Sequence, residues 1–266
     1  VPRLDGRLPT EQLAPELAQF AGAFNATLER VTLAYSRLEA FNADVAHELR
    51  SPLTNLIGQT QVALTRGRSA EHYLEVLQSN LEELERLRSI INDMLFLASA
   101  DQGSKATALT QASLAAEVAT TLDYLDYILE DAQVQVRVSG DAIAPIETAQ
   151  LRRALINLLH NAVQHTQAHQ VITVRIDAQP EGVSIAVSNP GPAIADEHLQ
   201  LLFERFYRVD AARSNNGAGN HGLGLAIVKA IALMHGGEVF VRSNHGSNTF
   251  GIRLPSAQAS GFAADS

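Results

Sequence analysis

Phe41-Asn42-Ala43-Asp44-Val45-Ala46-His47-Glu48-Leu49-Arg50-Ser51-Pro52-Leu53 continues a long apolar seam and decides how the first part of the chain reads. Upstream of it, Leu13, Leu17, Phe20, Phe24, Leu28, Val31, Tyr35 and Leu38 recur at steps of three or four, and Phe41 and Val45 carry the series on. That spacing predicts the seam of a coiled coil or helical bundle. Two successive steps of four, Phe20 to Phe24 to Leu28, depart from a strict heptad and read as a stutter. Thr10 before Glu11 is the expected N-cap. Pro52 removes a backbone donor and predicts a bend one turn beyond His47. Val45 and Leu49 sit on the seam, which leaves His47 at its edge and exposed. An imidazole beside the Glu48 carboxylate has the make-up of a nucleophile with an adjacent base. The same residues also read as a solvated histidine on a kinked helix. A zinc site is disfavoured because no second ligand follows His47 at i+3 or i+4.

Thr65-Arg66-Gly67-Arg68-Ser69 breaks the pattern, and Tyr73, Leu77, Leu81, Leu84, Leu87, Ile91, Leu95 and Ala98 begin a second seam. Two long helices joined by a short loop form an antiparallel hairpin. A hairpin with so broad a seam cannot cover itself, which predicts a homodimeric four-helix bundle; the alternative is a hairpin packed on its own second domain. The 266 residues suit two compact units. A hydrophobic fraction of 46% supplies real cores. A formal charge of −9, with lysine only at 105 and 229, lacks the basic field of a nucleic-acid binder. With no cysteine, disulfides, thiolate metal sites and thiol catalysis are excluded. No run of about 18 apolar residues is present to span a bilayer. The chain opens on Val1-Pro2 with neither Met nor a signal-peptide pattern, and is expected to be a fragment of something longer.

Beyond a small, polar linker the grammar changes. A helical stretch through Leu114, Val118, Leu122, Leu125 and Leu129 leads into the alternation Val134 to Val138. A helix from Thr148 to His165 precedes strands at Val171 to Asp177 and Val183 to Ser188. The helix Gly224 to His235 and strands Glu238 to Arg242 and Thr249 to Leu254 follow. This mixture predicts an α/β sandwich, not a regular βαβ alternation.

Three features of this half carry chemistry. Asn157 and Asn161 stand at i, i+4 and project from one helical face, offering neutral oxygen ligands for a hard cation such as Mg²⁺. Two solvent-facing amides are the bland alternative. Ser188-Asn189-Pro190-Gly191-Pro192-Ala193-Ile194 follows a strand and can bring backbone close to a flat ligand. Gly217-Ala218-Gly219-Asn220-His221-Gly222-Leu223-Gly224 opens a helix, where free N–H groups and the dipole favour phosphate. Leu202-Phe203-Glu204-Arg205-Phe206-Tyr207-Arg208 and the polar dozen residues after it have the composition of a lid anchored by aromatics.

Taken together and in this order, from about Pro15 to Leu254, these segments resemble the sensor histidine kinases of two-component signalling. The His47 segment is similar to the H box, Asn157 to Thr166 to the N box, and Asn189 to Ile194 to the first G box. Leu202 to Arg208 is similar to the F box, Gly222 to Val228 to the second G box, and Leu13 to Val31 to the second helix of a HAMP linker. The wording of several boxes looks most like the heavy-metal-responsive branch. The resemblance implies a fold of α plus α/β type: a dimeric antiparallel four-helix bundle, one hairpin per chain, followed by an α/β-sandwich ATP-binding domain of the GHKL type. It also implies the boundaries 1–31 for the HAMP part, 32–101 for the dimerisation and phosphotransfer hairpin, 102–108 for the linker, 109–256 for the catalytic domain and 257–266 for a disordered tail.

The implied roles follow by position. His47 accepts the γ-phosphoryl group of ATP, Glu48 polarises its imidazole, and Ser51 stands where the family positions water for phosphatase activity. Asn161 binds Mg²⁺ and Asn157 supports the triphosphate. Asn189 faces the adenine amine, Gly191 lets the base approach, and Gly222, Leu223 and Gly224 shape the phosphate end, with Arg208 and Arg213 as lid contacts. Implied partners are a second copy of the chain and a cognate response regulator; exposed apolar positions on the bundle below His47, around Leu53, Asn55, Leu56 and Gln59 with facing residues near Leu77, are expected to offer the regulator its patch, and no nucleic acid is expected. Membrane attachment in the bacterial inner membrane is expected only through an upstream segment, with this portion cytoplasmic. Several residues depart from the pattern: Asn189 replaces the usual Asp, Ala193 a glycine and Gln164 a basic residue, His221 stands where a small hydroxyl residue is frequent, and Asn248 interrupts a late glycine motif. Two alternatives to kinase function are a regulator phosphatase with weak kinase activity and a non-enzymatic dimeric relay.

Overall fold

The structure, a computed structural model, describes residues 6–8, 14–65, 67, 69–209, 221–244 and 246–255. The expected cap at Thr10, the lid residue Arg213 and the tail 257–266 lie outside the described residues. The chain divides into two compact units, 1–87 and 88–266. Among the described residues no helix is long and apolar enough to cross a membrane.

The first unit is built on α1 (Pro15–Thr65) and the beginning of α2 (Ala70–Asp101). The 51 residues of α1 extend over roughly 77 Å at about 1.5 Å per residue. They form one uninterrupted helix through position 31. Pro52 lies inside α1 and is buried. The hairpin is stitched near its loop by Asn80 Nδ2, which donates to Thr60 Oγ1 at 3.2 Å. Phe20, Phe24, Val31 and Tyr35 on α1, and Leu77, Leu81 and Leu84 on α2, are exposed in the single chain. One hairpin therefore leaves its seam uncovered.

The second unit carries a five-stranded sheet in the order β2-β4-β5-β7-β6, with β2 (Gln135–Ser139), β4 (Val171–Gln179), β5 (Gly182–Gly191), β6 (Glu238–Asn244) and β7 (Gly246–Pro255). Only the β2/β4 pair is parallel. The helices α3 (Leu114–Asp131), α4 (Thr148–Gln164) and α6 (Gly224–Met234) pack side by side with α4 in the middle. Alternating residues Ile172, Val174 and Ile176 of β4 are buried, as are Leu151, Leu155, Leu158 and Leu159 of α4. Period two in the strand and 3.6 in the helix thus turn one apolar face of each into the core. Arg152 on α4 and the buried Glu117 on α3 form an ion pair at 2.5 Å, so Glu117 is not left uncompensated.

Three elements escaped the sequence reading. The strands β1 (Thr110–Ser113) and β3 (Ile143–Ile146) form a separate antiparallel pair, and α5 (Asp196–Leu199) is a single turn. Four residues each are too few to register a period. Between them Asp141 accepts from the N–H groups of Ala115 and Ala142 and from the Ser113 hydroxyl, while Ser113 caps α3. These bonds, that from Ala115 foremost, hold the Asp141 carboxyl below its ordinary pKa.

The unit boundary at 87/88 falls earlier than the expected linker at 102–108, because the last turns of α2 are tied into the second unit. The Arg153 guanidinium pairs with Asp93 at 2.5 Å and lies 4.1 Å from the centre of the Phe96 ring. Arg205 pairs with Asp101 at 2.6 Å. The linker is itself anchored: Ala106 N–H donates to the Met234 carbonyl and Thr107 N–H to Glu147 Oε2. Replacing fully buried Leu155 by Ala is expected to cost about 2–5 kcal/mol of stability, read as a lowered urea midpoint of the second unit by circular dichroism.

Candidate functional site

The face of α4 opposite its leucines presents Asn157 and Asn161, both half-buried. Asn157 Nδ2 donates back to the Arg153 carbonyl at 2.9 Å. Its Oδ1 then points at the start of α6, where a Cβ added to Gly224 would come within 2.8 Å of that oxygen. Glycine at 224 is thus a condition for the N-box amide and the helix start to meet. Leu223, the residue before α6, makes no side-chain cap bond and its side chain is 2% exposed. Leu223 is therefore a core residue.

The end of β5 brings a second group of residues together. Asn189 is 1% exposed. Its Nδ2 donates to the Pro190 carbonyl at 3.1 Å, and its Oδ1 is buried without a partner. A buried acceptor left unpaired costs about 1–3 kcal/mol, which a ligand donor can recover. A Cβ at Gly191 would approach Asn248 Nδ2 at 3.2 Å and the His165 carbonyl at 3.9 Å, so β5, β7 and the end of α4 converge there.

The segment after α5 joins the same region. Phe206 N–H donates to the Gly222 carbonyl at 2.9 Å, and both residues have positive φ, 60° and 69°. At Gly222 a Cβ would come within 2.7 Å of Phe206 Cα. Tyr207 is held by its hydroxyl, 2.6 Å from His198 Nδ1. Lys229 on α6 pairs with Glu204 at 2.7 Å. Arg208 reaches the end of α4 electrostatically. His165 stays solvent-exposed, yet the protein around its ring holds its pKa below the ordinary value, by desolvation first and by the Arg208 guanidinium second.

The sequence-predicted residues of the second unit thus form contiguous groups: Asn157 with Gly224, Gly191 with Asn189 and His165, Phe206 with Gly222, and Arg208 with His165. Asn161 lies one turn beyond Asn157 on the same helix. His47, Glu48 and Ser51 lie apart from these in sequence, on α1 of the first unit, where His47 and Ser51 are exposed and Glu48 half-buried. Among the described residues no group of three or more His, Cys, Asp or Glu side chains is placed to hold a metal. A cation here would depend on the amide oxygen of Asn161 and on oxygens brought by a ligand. Such a donor set suits a hard ion such as Mg²⁺ that keeps waters and phosphate oxygens. Two polar residues beside Asn189, Asn248 and Ser243, were not identified as site residues from the sequence, because their pairing across strands leaves no local signal.

Residues 37–103 match the family described as the His Kinase A (phospho-acceptor) domain, and residues 146–258 match the histidine kinase-, DNA gyrase B- and HSP90-like ATPase family. The chain is 44% identical over 253 residues to the sensor histidine kinase CusS of Escherichia coli K12, covering 95% of this chain and 52% of that protein. It thus spans about half the length of the curated relatives it matches. The solved structure of the Acinetobacter baumannii histidine kinase AdeS covers 79% of this chain and 98% of its own, with a TM-score of 0.66 at 21% identity. The histidine kinase ThkA in complex with the response regulator protein TrrA gives the same score at 22% identity, covering 87% of this chain and 64% of its own. At these identities the two structures bear on the fold alone.

Because His165 titrates below its ordinary value in the folded chain, the fold takes up its proton less readily than the unfolded chain does. Its effect on stability is therefore absent above the ordinary histidine pKa near 6.5. It grows unfavourable as pH falls below that value. Arg208→Ala is expected to raise the His165 pKa and shrink this acid sensitivity, as followed by NMR titration of the imidazole; an unmoved titration would separate Arg208 from the site.

Proposed function

From the premise that the chain belongs to the sensor histidine kinases of two-component signalling, we propose that it binds ATP in the second unit, autophosphorylates on His47 and passes the phosphoryl group to an aspartate of a response regulator. The observation that carries this reading is the exposed His47 ring within the region that matches the phospho-acceptor family. The unpartnered Oδ1 of Asn189 supports the nucleotide half of it, since an adenine amine supplies the missing donor.

In the transfer, an imidazole nitrogen of His47 attacks the γ-phosphorus. A P–N bond forms as the bond to the β–γ bridging oxygen breaks, and ADP leaves with that electron pair. Glu48 accepts a hydrogen bond from the ring N–H and stabilises the positive charge that develops on the imidazole. Asn189 and Gly191 hold the base, and Asn157, Gly222, Gly224 and the open N–H groups at the start of α6 receive the triphosphate. Arg208 adds positive charge beside it. Asn161 would hold Mg²⁺, which when bound neutralises phosphate charge in the transition state. Most of the rate then comes from positioning and charge neutralisation. In the second transfer the carboxylate of the regulator takes the phosphoryl group from the imidazole, which restores neutral His47.

The uncovered seam of the hairpin suits a second copy of the chain, and the exposed residues Leu53, Asn55 and Gln59 below His47 suit a regulator surface. Ser51 is exposed on the same helix and is proposed to serve dephosphorylation of the regulator. For the whole protein we propose membrane anchoring through sequence outside this chain and membership of the heavy-metal-responsive branch.

His47→Gln is expected to abolish incorporation of label from γ-labelled ATP while leaving ATP binding intact; labelling at the parental rate would move the acceptor elsewhere. Charge substitutions at Leu56 and Gln59 are expected to slow phosphoryl transfer to the regulator at least tenfold, an interface effect of about 1.4 kcal/mol or more, without slowing autophosphorylation. Undiminished transfer would place the regulator on another surface.

A further inference from the structure

We propose that Asn248 and Ser243 are positioning residues for base selection: they fix the loop after β5 so that Asn189 presents an acceptor, and not a donor, to the purine. This rests on the nucleotide-binding reading of the second unit and names what sets its selectivity.

The strand register places Asn189 of β5 opposite Asn248 of β7, and Asn248 opposite Ser243 of β6. Directly paired residues share a face of the sheet, so the three form one transverse polar row. Asn248 is 6% exposed. Both ends of its amide are engaged: Oδ1 accepts from the Ser243 hydroxyl at 2.6 Å, and Nδ2 donates to the Pro192 carbonyl at 3.0 Å. The Ser243 oxygen in turn accepts the N–H of Ile194 at 2.7 Å. The segment Pro192-Ala193-Ile194, directly after β5, is thereby pinned at one carbonyl and one N–H. Side chains take this role where the backbone has little to offer, because Pro190 and Pro192 carry no N–H. Gly191 leaves room for the crossing, since a Cβ there would stand 3.2 Å from Asn248 Nδ2.

What this loop holds is the orientation of Asn189. An amide, unlike a carboxylate, presents an oxygen on one side and an NH₂ on the other. Its Nδ2 is committed to the Pro190 carbonyl, which leaves Oδ1 as the buried, open acceptor. Turning the amide over would set oxygen against that carbonyl oxygen and offer a donor to the ligand. With the Pro190 carbonyl held in place, the site favours a 6-amino purine and repels a 6-oxo purine. Loosening the Pro192 to Ile194 segment frees the end of β5, and with it the Pro190 carbonyl that holds the amide as it is.

The test is direct binding of Mg–ATP and Mg–ITP, which differ at the 6-position, to the whole chain by calorimetry. Asn248→Ala is expected to weaken ATP binding about tenfold, the loss of one or two hydrogen bonds, and to narrow the preference for ATP over ITP. Ser243→Ala should act in the same direction, Ser243→Thr should restore the parental ratio, and the double variant should lose less than the two single losses combined. If Asn248→Ala does not fold, the Ser243 pair carries the test alone. A parental chain that binds neither nucleotide would overturn the nucleotide reading itself. A parental chain that prefers ATP, with the same ATP-to-ITP ratio in the Ala variants, would overturn the positioning role and leave that reading intact.

Discussion

The burial of one face of α4 is the constraint on which the second unit depends. Leu151, Ala154, Leu155, Leu158, Leu159 and Ala162 all lie within the core, and a helix so committed cannot rotate about its axis without exposing several of them. The azimuth of every other residue on α4 is thereby fixed. Asn157 and Asn161 fall on the opposite edge, Arg153 reaches the last turns of α2, and the carbonyl of His165 meets the end of β5. Hydrophobic packing, which has no directionality of its own, becomes angular precision for four polar groups because a rigid helix carries them all.

Polar satisfaction does the complementary work at the edge of the sheet. Polar side chains near the end of β5 pair within the chain, among them the half-buried hydroxyls of Ser188 and Thr249, which bond each other at 2.8 Å. Against that background the open oxygen of Asn189 is informative. An amide in place of the carboxylate usual in the family removes charge from the proposed base site. It also makes recognition depend on which way a symmetric-looking group is turned, a dependence that a carboxylate does not have.

Much of this was legible from sequence. The helices α3 and α4 and the strand β4 announce themselves by period, because each buries one face, whereas α6 and β5 are buried nearly all round and show as short apolar runs. The i, i+4 spacing of Asn157 and Asn161 is a local fact and survives intact. What could not be read was non-local. Asn248 looked like an interruption of a glycine motif, whereas its partners lie on β6 and on the loop after β5, far from it in sequence and brought close only by register. Leu223 sits among site glycines and belongs to the core, a distinction that depends on the direction of one side chain. The tie between Arg153 and Asp93 joins residues sixty positions apart, and neither stands out in its own neighbourhood.

The bond from Phe206 N–H to the Gly222 carbonyl has an evolutionary corollary. It fixes residues 206 and 222 against each other through backbone atoms, which every residue type supplies. Closing a chain between two fixed points costs entropy that grows only with the logarithm of the residue count, about 0.6 kcal/mol for each doubling. Selection should therefore bear harder on Gly222, whose φ of 69° suits glycine, than on how many residues separate the two anchors.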